Sequence, residues 1–218
     1  MTNLTDTKYK DIFRDAYESR YTWDRGFNGF QGKCIAEIGE NVYQGKFILG
    51  QDFKPEIQKI DNEEIVKSIS SQLFEVSIHR VKRDFESIHS KNDFNLLKSS
   101  ENGIEMSVSG KNDGDKYRVK DKCINMVYRK IHGTIIEIFV QEFTDTGMGF
   151  LSSKYSSQQI DPETLSFTSP KLNYHDQFIN IDHEKNIWLL HSRTIHYLNK
   201  NRREESQRFI FEDLSLLG

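Results

Sequence analysis

From Asp93 onward the apolar residues of this chain recur with a period of two. Ile104, Met106 and Val108 alternate with Glu105, Ser107 and Ser109. Tyr117 and Val119 alternate with Lys116, Arg118 and Lys120, and Ile124, Met126 and Tyr128 with Asn125 and Arg129. Successive side chains of a strand point to opposite faces, so this pattern predicts half-buried antiparallel strands. Turn signals separate the runs: Glu101-Asn102-Gly103, Asn112-Asp113-Gly114, Lys120-Asp121-Lys122 and His132-Gly133. Asp-Gly between alternating runs is a strong hairpin signal, because glycine accepts the positive φ that a tight turn needs. Further strands are expected over 134–143, 149–158, 176–182, 186–198 and 205–215. The links are short, so sequence neighbours should pair antiparallel, giving a meander of about eight strands over 93–216.

The first part of the chain reads differently. Ile12, Phe13, Ala16 and Tyr17 form an apolar stripe at helical spacing, predicting a helix over about 8–19 with Thr7 as N-cap. Two strand-like runs follow, the clearer being Val42–Leu49. Asp61-Asn62-Glu63-Glu64 then has the form of a capping box, with Asp61 at the cap. Ile65, Ile69, Leu73 and Val76 lie on one face of the helix it opens, expected over about 62–82. No linker or repeat interrupts the 218 residues, which predicts one domain over 1–218.

The predicted fold class is therefore α+β, mainly β. A large curved antiparallel sheet, as a half-barrel or a barrel, would hold two helices against its concave face. Apolar residues make up only 36% of the chain, which suits a one-layer sheet with a polar outer face, while 15 Phe and 9 Tyr supply an inner lining.

Charge and cysteine usage exclude several classes. A net charge of -3 with scattered Lys and Arg argues against nucleic acid, whose binding domains carry a basic stripe. Cys34 and Cys123 form no CxxC pair, no HExxH exists, and His191 and His196 face opposite ways along one expected strand, so no metal site and no cofactor is predicted. The two thiols read as small buried residues of a reducing compartment. The longest apolar stretch, Ile135 to Val140, is short and contains Glu137, so no membrane span is expected. Met1 to Lys10 is polar and lacks the apolar core of a signal peptide, which predicts a soluble, cytoplasmic protein.

Three segments carry enough chemistry to line a ligand site. His79, Arg80, Arg83, Glu86 and His89 are the densest; on a continuing helix His79, Arg83 and Glu86 would share a face, with Arg83 offering a planar fork to a carboxylate or phosphate. The alternative is a polar helix end favoured by the helix dipole. Arg20, Tyr21, Trp23 and Asp24 would line a pocket mouth, or else close the core with Trp23 packed and Arg20 paired to Asp24. Arg129 and His132 lie at an expected hairpin turn, either facing the His79 segment or simply exposed. The glycine-rich Asp145–Gly149 lacks the phosphate-cradle pattern and reads as a tight loop at a strand junction.

Several motifs, in order along nearly the whole chain, resemble an uncharacterised family of cyanobacteria and plastids known as a domain of unknown function. They are Ala16-Tyr17-Glu18-Ser19-Arg20-Tyr21-Thr22-Trp23-Asp24 with Phe27 and Gly29-Phe30, then His79-Arg80-Val81-Lys82-Arg83-Asp84-Phe85-Glu86 and His89-Ser90-Lys91-Asn92. Ser109-Gly110-Lys111, Gly114-Asp115, Ile131-His132-Gly133 and Thr144-Asp145-Thr146-Gly147-Met148-Gly149-Phe150-Leu151-Ser152 complete the set. The resemblance implies a photosynthetic lineage and no particular reaction. The element order is also similar to exported carriers of lipoprotein acyl chains, whose half-barrels hold a hydrophobic ligand under helices.

These features lead to a non-enzymatic binding protein for a hydrophobic or amphipathic small ligand: a lipid, pigment or tetrapyrrole-like molecule. Arg20, Trp23, His79, Arg83, His89, Arg129 and His132 are its candidate ligand-binding residues. The alternatives are an assembly or interaction factor for photosynthetic complexes, and an enzyme using His79 or His132 as acid–base group.

Overall fold

The computed structural model describes residues 4–218, with side chains from Lys8 onward. The period-two runs become strands and the two helical stripes become helices. In chain order the elements are α1 (Leu4–Glu18), β1 (Phe30–Ile38), β2 (Asn41–Leu49), β3 (Pro55–Gln58), α2 (Glu63–Ile78) and α3 (Phe85–His89). Then come β4 (Asn92–Ser100), β5 (Gly103–Gly110), β6 (Lys116–Lys120), β7 (Cys123–Ile131), β8 (Thr134–Asp145), β9 (Phe150–Ile160), β10 (Leu172–Asp182), β11 (Ile187–Leu198) and β12 (Glu204–Leu216). The fold is mainly β, as the alternation predicts.

The twelve strands form one antiparallel sheet, ordered β3-β2-β1-β12-β11-β10-β9-β8-β7-β6-β5-β4. It has two edges and does not close into a barrel. The meander from β4 to β12 has nine strands. One long-range pairing joins its end to the start of the chain, where β12 lies beside β1. Cys34 and Ala36 stand opposite Phe211 and Phe209 in that register, so small residues make room for large ones. The His132-Gly133 turn holds φ of 49 and 82, the two positive values a two-residue hairpin loop requires.

The chain divides into two compact units. One holds the residues up to Tyr21 with Arg83–Asn173, the other Thr22–Lys82 with Tyr174–Gly218. In the first, α1 packs on β4, β6 and β7. Phe13, Ala16 and Tyr17 fall three and four residues apart on one helix face, and Phe13 sits 4.5 Å from the Phe94 ring and 4.6 Å from the Tyr117 ring. In the second, α2 buries Ile65, Ile69, Leu73 and Val76 and packs on β1 and β3. Cys34 and Cys123 are both buried and free. Burial raises both thiol pKa values, that of Cys34 to about 11, which keeps them protonated.

Several boundaries differ from expectation. Helix α1 starts at Leu4, a turn before Thr7. The N-cap of α2 is Asn62 instead of Asp61: its side chain accepts from Glu64 N at 3.0 Å and Ile65 N at 3.2 Å. Helix α2 stops at Ile78, because Trp23 N donates to Arg80 O at 2.8 Å and Val81 bridges to Trp23, drawing the chain into an extended stretch. The separate helix α3 follows, so His79, Arg83 and Glu86 share no helix face.

Candidate functional site

The first unit holds Arg20, Arg83, His89 and Arg129 of the residues that the sequence singled out. Strand β9 positions Arg20 through the backbone. Tyr21 N donates to Phe150 O at 3.0 Å, and Phe150 N donates to Ser19 O at 2.9 Å. The approach is close enough that a Cβ on Gly149, where φ is 148, would lie 2.7 Å from Tyr21 N. This is the tight strand junction expected of Asp145–Gly149, and its glycine lets the two backbones meet.

Held there, Arg20 turns back over its own helix. Its Nε donates to Tyr17 O at 2.8 Å, and its guanidinium lies 3.7 Å from the Tyr17 ring centroid. It does not pair with Asp24, and no carboxylate salt-bridges it among the described residues. Burial lowers its pKa, Tyr17 and Tyr117 counter that effect, and Arg83 adds like-charge repulsion. The guanidinium stays charged at neutral pH all the same.

Tyr17 also packs against His89, with ring centroids 5.1 Å apart. Phe13 and Phe85 each stand 5.2 Å from the same imidazole, which is 5% exposed. Asn112 N donates to Asn92 Oδ1 at 3.0 Å, which fixes the Asn92 amide so that its Nδ2 donates to His89 Nδ1 at 3.0 Å. The His89 proton is thereby placed on Nε2. Burial, then the positive charges of Arg129, Arg20, Lys10 and Lys111, push the His89 pKa down to about 4. His89 is therefore a neutral donor at physiological pH.

Arg129 is not free to meet an acidic group. Its Nε donates to Asp115 Oδ2 at 3.0 Å, where Asp115 is 3% exposed and also accepts from Tyr117 Oη at 3.3 Å and Lys130 N at 3.3 Å. Tyr117 is held protonated, its pKa raised by burial. Arg83 is exposed near Arg20, and Arg14 pairs with Glu86 beside α3.

The remaining predicted site residues lie elsewhere. His132 is exposed on the β7–β8 turn. Trp23 and His79 belong to the second unit. Trp23 is buried, donates Nε1 to Trp188 O at 3.1 Å and stacks 4.2 Å from the Phe27 ring, so it closes a core. His79 is the exposed C-cap of α2. Sequence reasoning named Arg20, Arg83, His89 and Arg129 singly; the structure places all four in one unit, and sequence reasoning missed the parts that organise them: Tyr17, Asn92, Asp115 and Tyr117. An Asp directly after the Asn-Asp-Gly turn was the available signal for Asp115. It missed a second network altogether. In the second unit Arg193, 1% exposed, forms a two-pronged pair with Asp176 at 2.8 and 2.7 Å and donates to Gln72 on α2 at 3.0 Å.

Among the described residues no group of three or more His, Cys, Asp or Glu is placed to hold a metal ion, and no helix is long and apolar enough to cross a membrane. The first unit brings together a cation held without a carboxylate salt bridge among the described residues, a neutral imidazole donor and an aromatic surround. The chain belongs to the family described as "Protein of unknown function (DUF3386)", which it matches over residues 4–217. No curated protein matches the sequence. Among solved structures it is similar to a DUF1329 family protein of Desulfovibrio piger, at 9% identity, covering 97% of this chain and 93% of that one, with a TM-score of 0.29. It is also similar to a chain of the Pseudomonas aeruginosa MucA/MucB complex, at 9% identity, covering 94% and 93%, with a TM-score of 0.27. A chain from a structure of MucB in complex with MucA(peri) is 8% identical, covered 97% and 94%, with a TM-score of 0.23. At these TM-scores the likenesses carry no argument about fold or function.

Proposed function

We propose that the protein is a non-enzymatic binding protein for an amphipathic small ligand with an acidic end, acting in the cytoplasm of a photosynthetic cell. The observation that carries this reading is Arg20. A half-buried guanidinium stacked on Tyr17 gives up much of its hydration, and a protein normally offsets that with a carboxylate. Here Tyr17 and Tyr117 partly offset the burial, and the charged side chain that acts on Arg20 is another cation, Arg83. An ionised carboxylate or phosphate would receive the planar fork of Arg20, with the His89 Nε2 proton as a further donor. Such a ligand needs no metal and no acid–base residue, and the pKa of about 4 at His89 keeps its imidazole from titrating at neutral pH.

A second reading, an interaction factor for photosynthetic assemblies, draws on exposed apolar side chains of the same unit. Leu165 and Phe167, after β9, are 65% and 62% exposed. Native mass spectrometry of purified protein incubated with lipid and pigment extract separates the two. The first reading expects a stoichiometric adduct of amphiphile mass that is lost in Arg20→Met. A spectrum with no adduct at any ratio would discard the first reading.

A further inference from the structure

The sheet has two edges of unequal character. β3 has four residues and begins at Pro55, whose missing N–H blunts that edge. β4 has nine residues, and every one from Asn95 to Ser100 is exposed, including Leu96 at 44% and Leu97 at 49%. Asp93 and Lys98 on this strand are also exposed, and the side chain of neither is hydrogen-bonded or ion-paired among the described residues.

The β4–β5 register shows how these residues are arranged. Phe94 stands opposite Val108, Asn95 opposite Ser107 and Leu96 opposite Met106, after which Lys98 stands opposite Glu105. Leu97 is thus an extra residue, a β-bulge. In an unbroken strand Lys98 would share a face with Phe94 and Leu96. The bulge moves it to the face of Asp93 and Asn95.

This has a consequence for self-pairing. Residues that oppose one another across an antiparallel ladder must sit on the same face. With Leu97 set aside, β4 can pair with a second copy of itself about a two-fold axis at Asn95. Asp93 then faces Lys98 of the second copy, and Phe94 faces its Leu96. The symmetry makes each contact twice, so two opposite-charge pairs form from side chains that have no ion-pair partner in their own chain among the described residues, while Phe94, already buried in its own core, adds no new apolar contact. Without the bulge the charges would fall out of register.

We infer that β4 is a homodimerisation edge, at which two copies of this chain join their sheets through antiparallel β4 pairing in the Asp93–Lys98 register. The occupant is a second copy because the charge pattern complements itself. A charged, bulged edge also serves to keep strands from pairing, and that use predicts a monomer.

Sedimentation velocity of the full chain over a wide concentration range, at low and high salt, distinguishes them. The dimer account expects reversible dimerisation. Reversing one charge, by Asp93→Lys or Lys98→Glu, replaces two attractive contacts by two repulsive ones and should weaken the dimer roughly tenfold. The double reversal restores the pairing and should recover most of that loss. Circular dichroism checks that each variant folds, as exposed substitutions should. A protein that stays monomeric throughout, a dimer indifferent to both single reversals, or a double variant no better than the singles would each overturn the inference.

Discussion

A histidine enclosed by four aromatic rings and held by an asparagine is a pH-sensitive component of stability. His89 has a folded pKa of about 4, below the ordinary value of 6.5. Above about pH 6.5 the imidazole is neutral in both states and its packing counts in full. As pH falls from there toward 4, the unfolded chain takes up a proton that the folded one refuses, and stability drops. The shift corresponds to roughly 3 kcal/mol as an upper bound. Thermal melts of the wild type and of His89→Gln should therefore converge on acidification through that window; curves that stay parallel would refute this placement of His89. Arg193 makes the complementary test in the second unit. Removing one partner of a buried pair leaves an uncompensated charge, so Arg193→Met should cost roughly 3–5 kcal/mol in urea unfolding. Adding Asp176→Leu should recover most of it. Neither site was legible as such. His89 was a candidate for its chemistry, but its partners come from α1 and β4, and Arg193 lies in a run that reads only as strand.

At the scale of elements the sequence was more informative, because periodicity and turn chemistry are local. The alternation around Ile104, Tyr117 and Ile124 placed β5, β6 and β7, and Asn112-Asp113-Gly114 placed the loop between β5 and β6. The stripe of Ile65, Ile69, Leu73 and Val76 placed α2. What failed was decided by tertiary contact. The end of α2 is set by the pairing of Trp23 with Arg80 and Val81, residues more than 50 positions apart. The cap at Asn62 in place of Asp61 is a choice between two adjacent residues with equivalent side-chain oxygens. The β4 bulge leaves no strong mark in Asn95-Leu96-Leu97-Lys98 beyond a broken alternation, yet it decides which face carries Lys98. β3 is four residues long and too short for a periodic signal.

For the molecule as a whole, composition and alternation gave the fold class, while the sheet's one long-range strand pairing did not follow from either. The pairing of β1 with β12 joins segments more than 150 residues apart, and only their matched sizes, Cys34 and Ala36 against Phe211 and Phe209, record it. The functional account rests on a similar long-range assembly: β9 fixes the backbone at Arg20, α1 supplies Tyr17, and α3 with β4 supplies His89 and Asn92. Asp115 then takes up Arg129, while no carboxylate salt-bridges Arg20 among the described residues. Isothermal titration calorimetry with a long-chain fatty acid and its methyl ester, on wild type and Arg20→Met, tests that account most directly. Hydrogen bonds to a charged group contribute roughly 1.5–3 kcal/mol, so the carboxylate should bind the wild type at least about tenfold more tightly than it binds the variant. The ester should bind both alike and weakly. Equal affinity of the fatty acid for wild type and Arg20→Met, or no binding to either, would contradict the account.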